Sequence, residues 1–106
     1  MSSASLSSDD AGVCRVSGAL GFDTVTQLPA SLPGDGDVVA DLSAVERVDS
    51  AGLALLLEWV RTARARGRSV VFQGVPGQLS AIARVSGVDE ILALDQNTPS
   101  DTGGRA

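Results

Sequence analysis

The chain has no histidine, one cysteine and few aromatic residues, which make up 3% of its 106 positions. The missing imidazole excludes Ser-His-Asp catalysis, Cys-His catalysis and zinc sites built with histidine. The single Cys14 excludes an internal disulfide, and its neighbours Val13 and Val16 predict a buried side chain rather than a reactive thiol. These absences remove the commonest routes to catalysis and metal binding.

Long apolar runs and basic residues are also scarce. No window reaches the roughly 18 apolar residues of a membrane span, and the start of the chain lacks a basic segment followed by an apolar run. We therefore expect a cytoplasmic protein. The net charge of -5 at pH 7 argues against nucleic-acid binding, which needs a concentrated basic surface. Four clustered arginines are interpreted as the positively charged end of one helix: Arg61, Arg64, Arg66 and Arg68.

The hydrophobic pattern predicts one α/β domain, because a chain of 106 residues supports a single core. Short apolar segments bounded by turn residues predict strands at 4–6, 13–17, 37–42, 69–73 and 91–94. The first two are expected to form an antiparallel edge hairpin of a mixed sheet with about four to five strands, against which helices pack. We place the domain at residues 1–94, with its core at 13–94, and expect the polar segment 95–106 to be disordered.

Helical spacing of apolar residues predicts three helices. Phe22, Val25 and Leu28 are spaced for a short helix, and another is expected at 78–85. The longest is predicted at 50–66, where a glycine follows as a C-terminal stop. Its core face is expected to consist of five apolar residues: Leu53, Leu56, Leu57, Val60 and Ala63.

Leu55 and Trp59 fall outside this stripe, and we place them on nearly the opposite side of the helix, together with Thr62. Two interpretations are open. Either a second layer of the domain, such as the N-terminal segment, covers Trp59, or Leu55 and Trp59 anchor a partner protein, since tryptophan is enriched among residues that dominate interface energy. We favour the partner, because a chain this short has few elements left to cover that side.

The same helix starts at the sequence VDSAGL, residues 48–53. Either Asp49 or Ser50 is suited to cap its first turn, and either cap contributes only ~1 kcal/mol. Phosphorylation of Ser50 would add about two negative charges next to Asp49, which the helix N-terminus tolerates but an apolar partner surface does not. We therefore predict that Ser50 is a candidate phosphorylation site within a partner interface. That interface is predicted to comprise Asp49, Ser50, Ala51, Leu55, Trp59 and Thr62.

The stretch DLSAVERVDSAGLALLLEWVRTARARGRSVVFQGV, residues 41–75, resembles the core of a STAS domain, the module named for sulfate transporters and anti-sigma factor antagonists. The resemblance runs over about residues 13–94. Its most specific parts are DLS at 41–43 and VDSAGL at 48–53. The family places a regulatory hydroxyl residue on this strand, loop and helix start, and Ser50 occupies that position.

Within the family, GLALLL at 52–57 and FQGV at 72–75 are similar to the cytoplasmic STAS subunits of phospholipid-transport ABC systems. This resemblance implies a non-catalytic accessory subunit that binds the ATPase of an inner-membrane ABC transporter. Such a transporter moves phospholipids between the membranes of Gram-negative bacteria and supports outer-membrane lipid asymmetry. The resemblance places the start of the long helix against the ATPase, with Ser50, Leu55 and Trp59 facing it, and the protein at the inner membrane only through this partner.

Two further functions are weighed against this one. An anti-sigma factor antagonist is the alternative, in which a serine kinase modifies Ser50 and the unmodified form binds an anti-sigma factor. Ala51 stands where many such antagonists have a second serine, which weakens the phosphoswitch interpretation. An enzyme is disfavoured, because the carboxylates are scattered and no nucleophile has an adjacent base. Asp41 and Asp49 are a pair that loop geometry would allow to hold a metal, yet aspartate is common at strand ends and turns. We expect no catalytic residue, no metal and no cofactor.

Overall fold

The computed structural model describes residues 3–88, which form a four-stranded sheet and two α-helices. The strands are β1 (Ala4–Ser8), β2 (Val13–Leu20), β3 (Val38–Val48) and β4 (Val70–Gln73). The helices are α1 (Ser50–Ala65) and α2 (Gly77–Val85), and a short 3-10 helix spans Val25–Gln27. The strand predicted at 91–94 and the disorder predicted for 95–106 lie outside the described residues and stay predictions.

The sheet has the strand order β1-β2-β3-β4, with β1 antiparallel to β2 and the other neighbours parallel. A tight turn joins β1 to β2. The Asp9 carboxylate accepts hydrogen bonds from the backbone N–H groups of Ala11 and Val13 at 2.9 and 3.0 Å, and Gly12 provides a positive φ of 84°. The predicted α/β fold, with a mixed sheet and an antiparallel edge hairpin, is confirmed.

The strands β2 and β3 run further than their hydrophobic patterns predict. Their register shifts twice, between Arg15 and Ser17 and between Gly18 and Ala19. Gly18 has a φ of 92°, and a Cβ at this position would lie 2.1 Å from the carbonyl oxygen of Ser3. This glycine therefore marks an irregularity inside β2, where the neighbouring backbone approaches closely, rather than the end of the strand.

One face of the sheet forms the core. Alternate residues of β2, β3 and β4 are buried on it: Cys14, Val16, Ala40, Leu42 and Phe72. Both helices contribute residues to the same hydrophobic cluster, so α1 and α2 pack on this face. The predicted burial of Cys14 is confirmed, and its desolvation raises the pKa of the thiol. Between residues 3 and 88, neither helix combines the length and apolar composition needed to cross a bilayer.

The segment after β2 forms less helix than its apolar spacing predicts. Only Val25–Gln27 is helical, and Phe22 lies before this turn with its side chain 83% exposed. The cause is Thr24, whose hydroxyl donates to the carbonyl of Ala19 at 2.6 Å and accepts from the N–H of Gly21 at 2.9 Å. Such local side-chain hydrogen bonds compete with helix formation. The prediction of a short helix that includes Phe22 is wrong, although a single helical turn does form at Val25–Gln27.

Arg68 does not belong to an exposed cluster of arginines at the helix end. It is 6% exposed, and its guanidinium donates to the carbonyls of Leu32, Pro33 and Gly36 at 2.9, 2.8 and 2.7 Å. Three carbonyl acceptors satisfy most of the donors of this buried cation, and together they fix the loop before β3. The interpretation of the arginines as one helix end is therefore wrong for Arg68, whereas Arg64 does lie in the last turn of α1.

Candidate partner-binding site at the start of the long helix

The candidate site lies where β2 and β3 end and α1 begins. Leu20 and Val48 are register partners at the ends of these parallel strands, and the N–H of Asp49 donates to the carbonyl of Leu20 at 3.0 Å. Ser50 then begins α1. The carboxyl ends of parallel strands are where α/β folds usually place functional groups, because the loops that follow them converge at one edge of the sheet.

Asp49 rather than Ser50 caps the helix. One carboxylate oxygen, Oδ1, accepts hydrogen bonds from the N–H groups of Ala51 and Gly52 at 2.8 and 3.2 Å. The other, Oδ2, accepts from the N–H of Phe22 at 3.1 Å. A single side chain thus satisfies orphan donors of the first helical turn and ties the helix start to the loop after β2.

These contacts set the charge state of Asp49. Partial desolvation acts to raise the pKa of the carboxyl, but three backbone N–H donors and the nearby Arg47 outweigh it, so the pKa lies below its ordinary value of 3.8. A carboxylate with a lowered pKa and both oxygens engaged is a poor general base at neutral pH. Its role here is to hold the local structure.

We expect Asp49→Ala to lower the free energy of unfolding by ~1 kcal/mol, since the first turn of α1 loses its cap. The pH dependence identifies the contribution of the charge. Because the folded pKa lies below 3.8, this contribution is full above the unfolded pKa and is lost as pH falls through the folded pKa. Urea titrations should therefore show that the free energy of unfolding of wild type exceeds that of Asp49→Asn at neutral pH, and that this difference disappears below about pH 4. If the difference in the free energy of unfolding is unchanged well below this pH, the negative charge of Asp49 does not stabilise the helix start.

Four other residues of the predicted interface lie at the start of α1 or along one flank. Ser50 is exposed, and its hydroxyl is not needed for the cap that Asp49 supplies. Ala51, Leu55 and Thr62 are half-buried, and their helical spacing places them on one flank of α1. The hydroxyl of Thr62 donates to the carbonyl of Glu58 at 3.0 Å, within the helix itself.

Trp59 does not lie on this surface. It is 0% exposed, and its indole Nε1 donates to the carbonyl of Pro29 at 2.8 Å, while Leu28 and Leu32 are buried in the same cluster. The prediction that Trp59 anchors a partner is wrong, and the alternative of an internal cover holds, with the segment between β2 and β3 as the cover. The burial of Trp59 was readable from the helical spacing, because Trp59 follows the core residue Leu56 by three residues and so lies only about 60° from it around the helix.

Comparison with known protein families identifies the family of the chain. The family described as "Mlab, STAS domain" matches residues 4–94 of the chain. The chain belongs to the STAS-domain family. Two curated relatives, from Escherichia coli (strain K12) and Shigella flexneri, are both named intermembrane phospholipid transport system binding protein MlaB. Each is 42% identical over 50 residues, which cover 47% of this chain and 52% of the relative. The chain therefore spans about half the length of the curated relatives it matches. The predicted STAS resemblance and its likeness to the phospholipid-transport subunits are confirmed.

The STAS domain places three further residues at the site that the sequence patterns did not assign to it. Phe22 is exposed beside Asp49, and Gln78 of α2 accepts a hydrogen bond from the N–H of Val48 at 2.8 Å. Arg47 and Gln78 line a recess of about 270 Å³, which is below the ~300–1,000 Å³ typical of small-molecule pockets. The site is thus better suited to a protein contact than to a small ligand. The glycine and aspartate on either side of Phe22 were the available sign of an exposed turn.

The two carboxylates considered as a metal pair do not meet in this STAS domain. Asp41 lies within β3, where its carboxylate accepts from the N–H of Ser43 at 2.9 Å and lies 3.9 Å from Nε of Arg15. The rest of β3 separates it from Asp49 by roughly 25 Å, at about 3.3 Å per residue over eight residues. In the described part of the chain, no group of three or more Cys, Asp or Glu side chains is placed to hold a metal. The possibility that Asp41 and Asp49 approach each other across a loop, which the sequence left as the weaker one, does not hold.

Proposed function

We propose that this STAS domain is a non-catalytic accessory subunit of a phospholipid-transport ABC system, and that it binds the ATPase of that system through the start of α1. The observation that carries the proposal is the exposed Ser50 in the first turn of a helix that Asp49 caps. The names of the two curated relatives, as binding proteins of a phospholipid transport system, support this class of partner. In this function the protein lies in the cytoplasm and reaches the inner membrane through the transporter.

The composition of the surface supports a protein partner. Ser50 contributes a hydroxyl that the fold does not use for its cap, and Ala51 and Leu55 contribute a half-buried apolar flank beside it. Specific interfaces combine an apolar centre with a polar rim in this way. Because Asp49 is held by backbone donors on both oxygens, the polar end of this surface is fixed before a partner arrives.

Ser50→Asp tests the proposal, because it places a charge in the contact without disturbing the helix. We expect the free energy of unfolding to stay within ~1 kcal/mol of wild type, since an acidic residue suits a helix N-terminus. Affinity for the purified ATPase subunit should fall at least about tenfold, because an interface without a countercharge must desolvate the new carboxylate. Ser50→Ala should weaken binding by about fivefold at most, because it removes only one neutral hydroxyl and adds no charge. Binding is measured by copurification and by titration in solution.

Ser7→Asp is the matched control, because Ser7 is an exposed serine on β1, away from the start of α1. It should leave affinity unchanged. Failure of the wild-type chain to bind the ATPase would overturn the proposed function. If Ser50→Asp and Ser7→Asp bind the ATPase with equal affinity, the contact does not lie at this end of α1, although the ATPase is still a partner.

A second candidate function uses the same surface. The exposed hydroxyl of Ser50, next to the fixed carboxylate of Asp49 and at a helix N-terminus, suits the phosphorylation switch of an anti-sigma factor antagonist. Neighbouring genes separate the two candidates. Genes for a transporter ATPase and permease favour the accessory subunit, whereas genes for a serine kinase and a sigma factor, together with phosphate found on Ser50, favour the antagonist.

A further inference from the structure

We infer that Phe22 is an anchor residue of the same surface, and that its ring inserts into an apolar pocket of the transporter ATPase. The inference rests on the proposed function and adds to it a contact that lies outside the VDSAGL segment. Three observations carry it: the exposure of the ring, the rigidity of the loop that presents it, and its attachment to the capped start of α1.

The exposure of Phe22 sets it apart from the other aromatic residues. The chain has two phenylalanines, one tryptophan and no tyrosine. Trp59 and Phe72 are both 0% exposed, whereas Phe22 is 83% exposed. A phenylalanine left in water gives up the transfer free energy that burial provides, and aromatic side chains dominate the energetics of interfaces. The described fold does not use the ring of Phe22 in its own core, so the ring is free to contact a partner.

The loop that carries Phe22 is held in one conformation. Thr24 is fully buried, and its hydroxyl donates to the carbonyl of Ala19 at 2.6 Å and accepts from the N–H of Gly21 at 2.9 Å. The N–H groups of Thr24 and Val25 both donate to the carbonyl of Gly21 at 2.9 Å. A side chain presented on a loop that is already ordered loses less conformational entropy on binding, so its apolar contact contributes more to affinity.

Phe22 is continuous with the proposed contact at Ser50. Its N–H donates to Oδ2 of Asp49 at 3.1 Å, and Asp49 directly precedes Ser50. The two segments approach so closely that a Cβ on Gly21 would lie 2.9 Å from the same oxygen. An exposed ring whose backbone is bonded to a carboxylate, with an exposed serine next in sequence to that carboxylate, combines the apolar and polar groups of an interface hot spot with a polar rim. One partner that covers Ser50 therefore also reaches Phe22.

Phe22→Ala tests the inference in the full chain titrated with the purified ATPase subunit. We expect Kd to rise about 30-fold, the size of effect that defines a hot spot. Urea unfolding should match wild type, because the ring makes little contact with the fold. Val71→Ala is the matched control, since Val71 is also partly exposed, at 41%, but pairs with Val39 near the beginning of β3, at the other end of the sheet. It should leave Kd unchanged.

The outcomes separate this inference from the proposed function. If wild type does not bind the ATPase, the proposed function fails and the inference fails with it. If wild type binds, Ser50→Asp weakens binding and Phe22→Ala behaves like Val71→Ala, the proposed function stands and the inference is overturned. Sedimentation tests a third outcome. If wild type is a dimer, and Phe22→Ala is a monomer with an unchanged Kd for the ATPase, the ring contacts a second copy of the chain, which also overturns the inference.

Discussion

Replacing Trp59 with alanine is expected to lower the free energy of unfolding by about 4 kcal/mol. The indole is 0% exposed between α1 and the segment that contains Leu28 and Leu32, so truncation leaves a large cavity. The carbonyl of Pro29 also loses the donor that now lies 2.8 Å away. A domain of this size has about 5–15 kcal/mol of stability, so the variant should be close to unfolding. Urea titration followed by far-ultraviolet circular dichroism measures the loss, because the variant has no tryptophan fluorescence.

Two variants give this prediction its controls. Trp59→Phe keeps an aromatic ring but removes the indole donor, so it should lower the free energy of unfolding by about 1–3 kcal/mol. Its unfolding can be measured even if the alanine variant does not fold. Phe22→Ala removes an aromatic ring that is 83% exposed and should change stability by less than about 0.5 kcal/mol. Equal stability of Trp59→Ala and Phe22→Ala would contradict the position of Trp59 in the core. Loss of partner binding by Trp59→Ala would report unfolding, not a lost contact.

The elements governed by one local periodicity were predictable from the sequence. The apolar stripe and the terminal glycine defined α1 almost to the residue, and the short β-branched run defined β4. Errors arose where distant contacts decide the structure. Trp59 is bound to a carbonyl 30 positions away, and Arg68 to one 36 positions away, in a segment without helical or strand periodicity. No local pattern encodes such a cover, so the cluster of arginines was misinterpreted. For Trp59 a local sign did exist, because it lies only about 60° around the helix from the core residue Leu56.

The candidate site shows the same division. The VDSAGL sequence placed Asp49 and Ser50 at a helix start, but both residue types are good caps, so composition alone left the cap undecided. Backbone geometry decides it. Asp49 has an extended conformation, with φ of -118° and ψ of -171°, whereas Ser50 is already helical. The position of Phe22 beside Asp49 escaped prediction because the hydrogen bond that joins them spans 27 positions.

Gly52→Ala is expected to lower the free energy of unfolding by about 3 kcal/mol, at the upper end of the usual cost of overpacking. The start of α1 lies directly on the end of β2. A Cβ at this position would lie 2.2 Å from the carbonyl oxygen of Leu20 and 2.7 Å from its Cβ, distances that require the backbone to move. Because α1 must then shift away from β2, the cap made by Asp49 and the position of Ser50 are disturbed together. Under the proposed function, ATPase binding should therefore weaken along with stability.

Gly77→Ala is the matched control, since it makes the same change in the first turn of α2, where a Cβ would meet no other part of the described chain within 4 Å, apart from the adjacent residues and the backbone of α2 itself. Alanine is the better helix former, so this variant should be as stable as wild type or more stable by up to about 1 kcal/mol. Thermal unfolding of the two variants separates the effect of packing from that of helix propensity, because only the new methyl group of Gly52→Ala contacts β2. If Gly52→Ala matches Gly77→Ala, close packing of α1 on β2 does not fix the helix start. The orientation of Ser50 would then depend on the carboxylate of Asp49 alone.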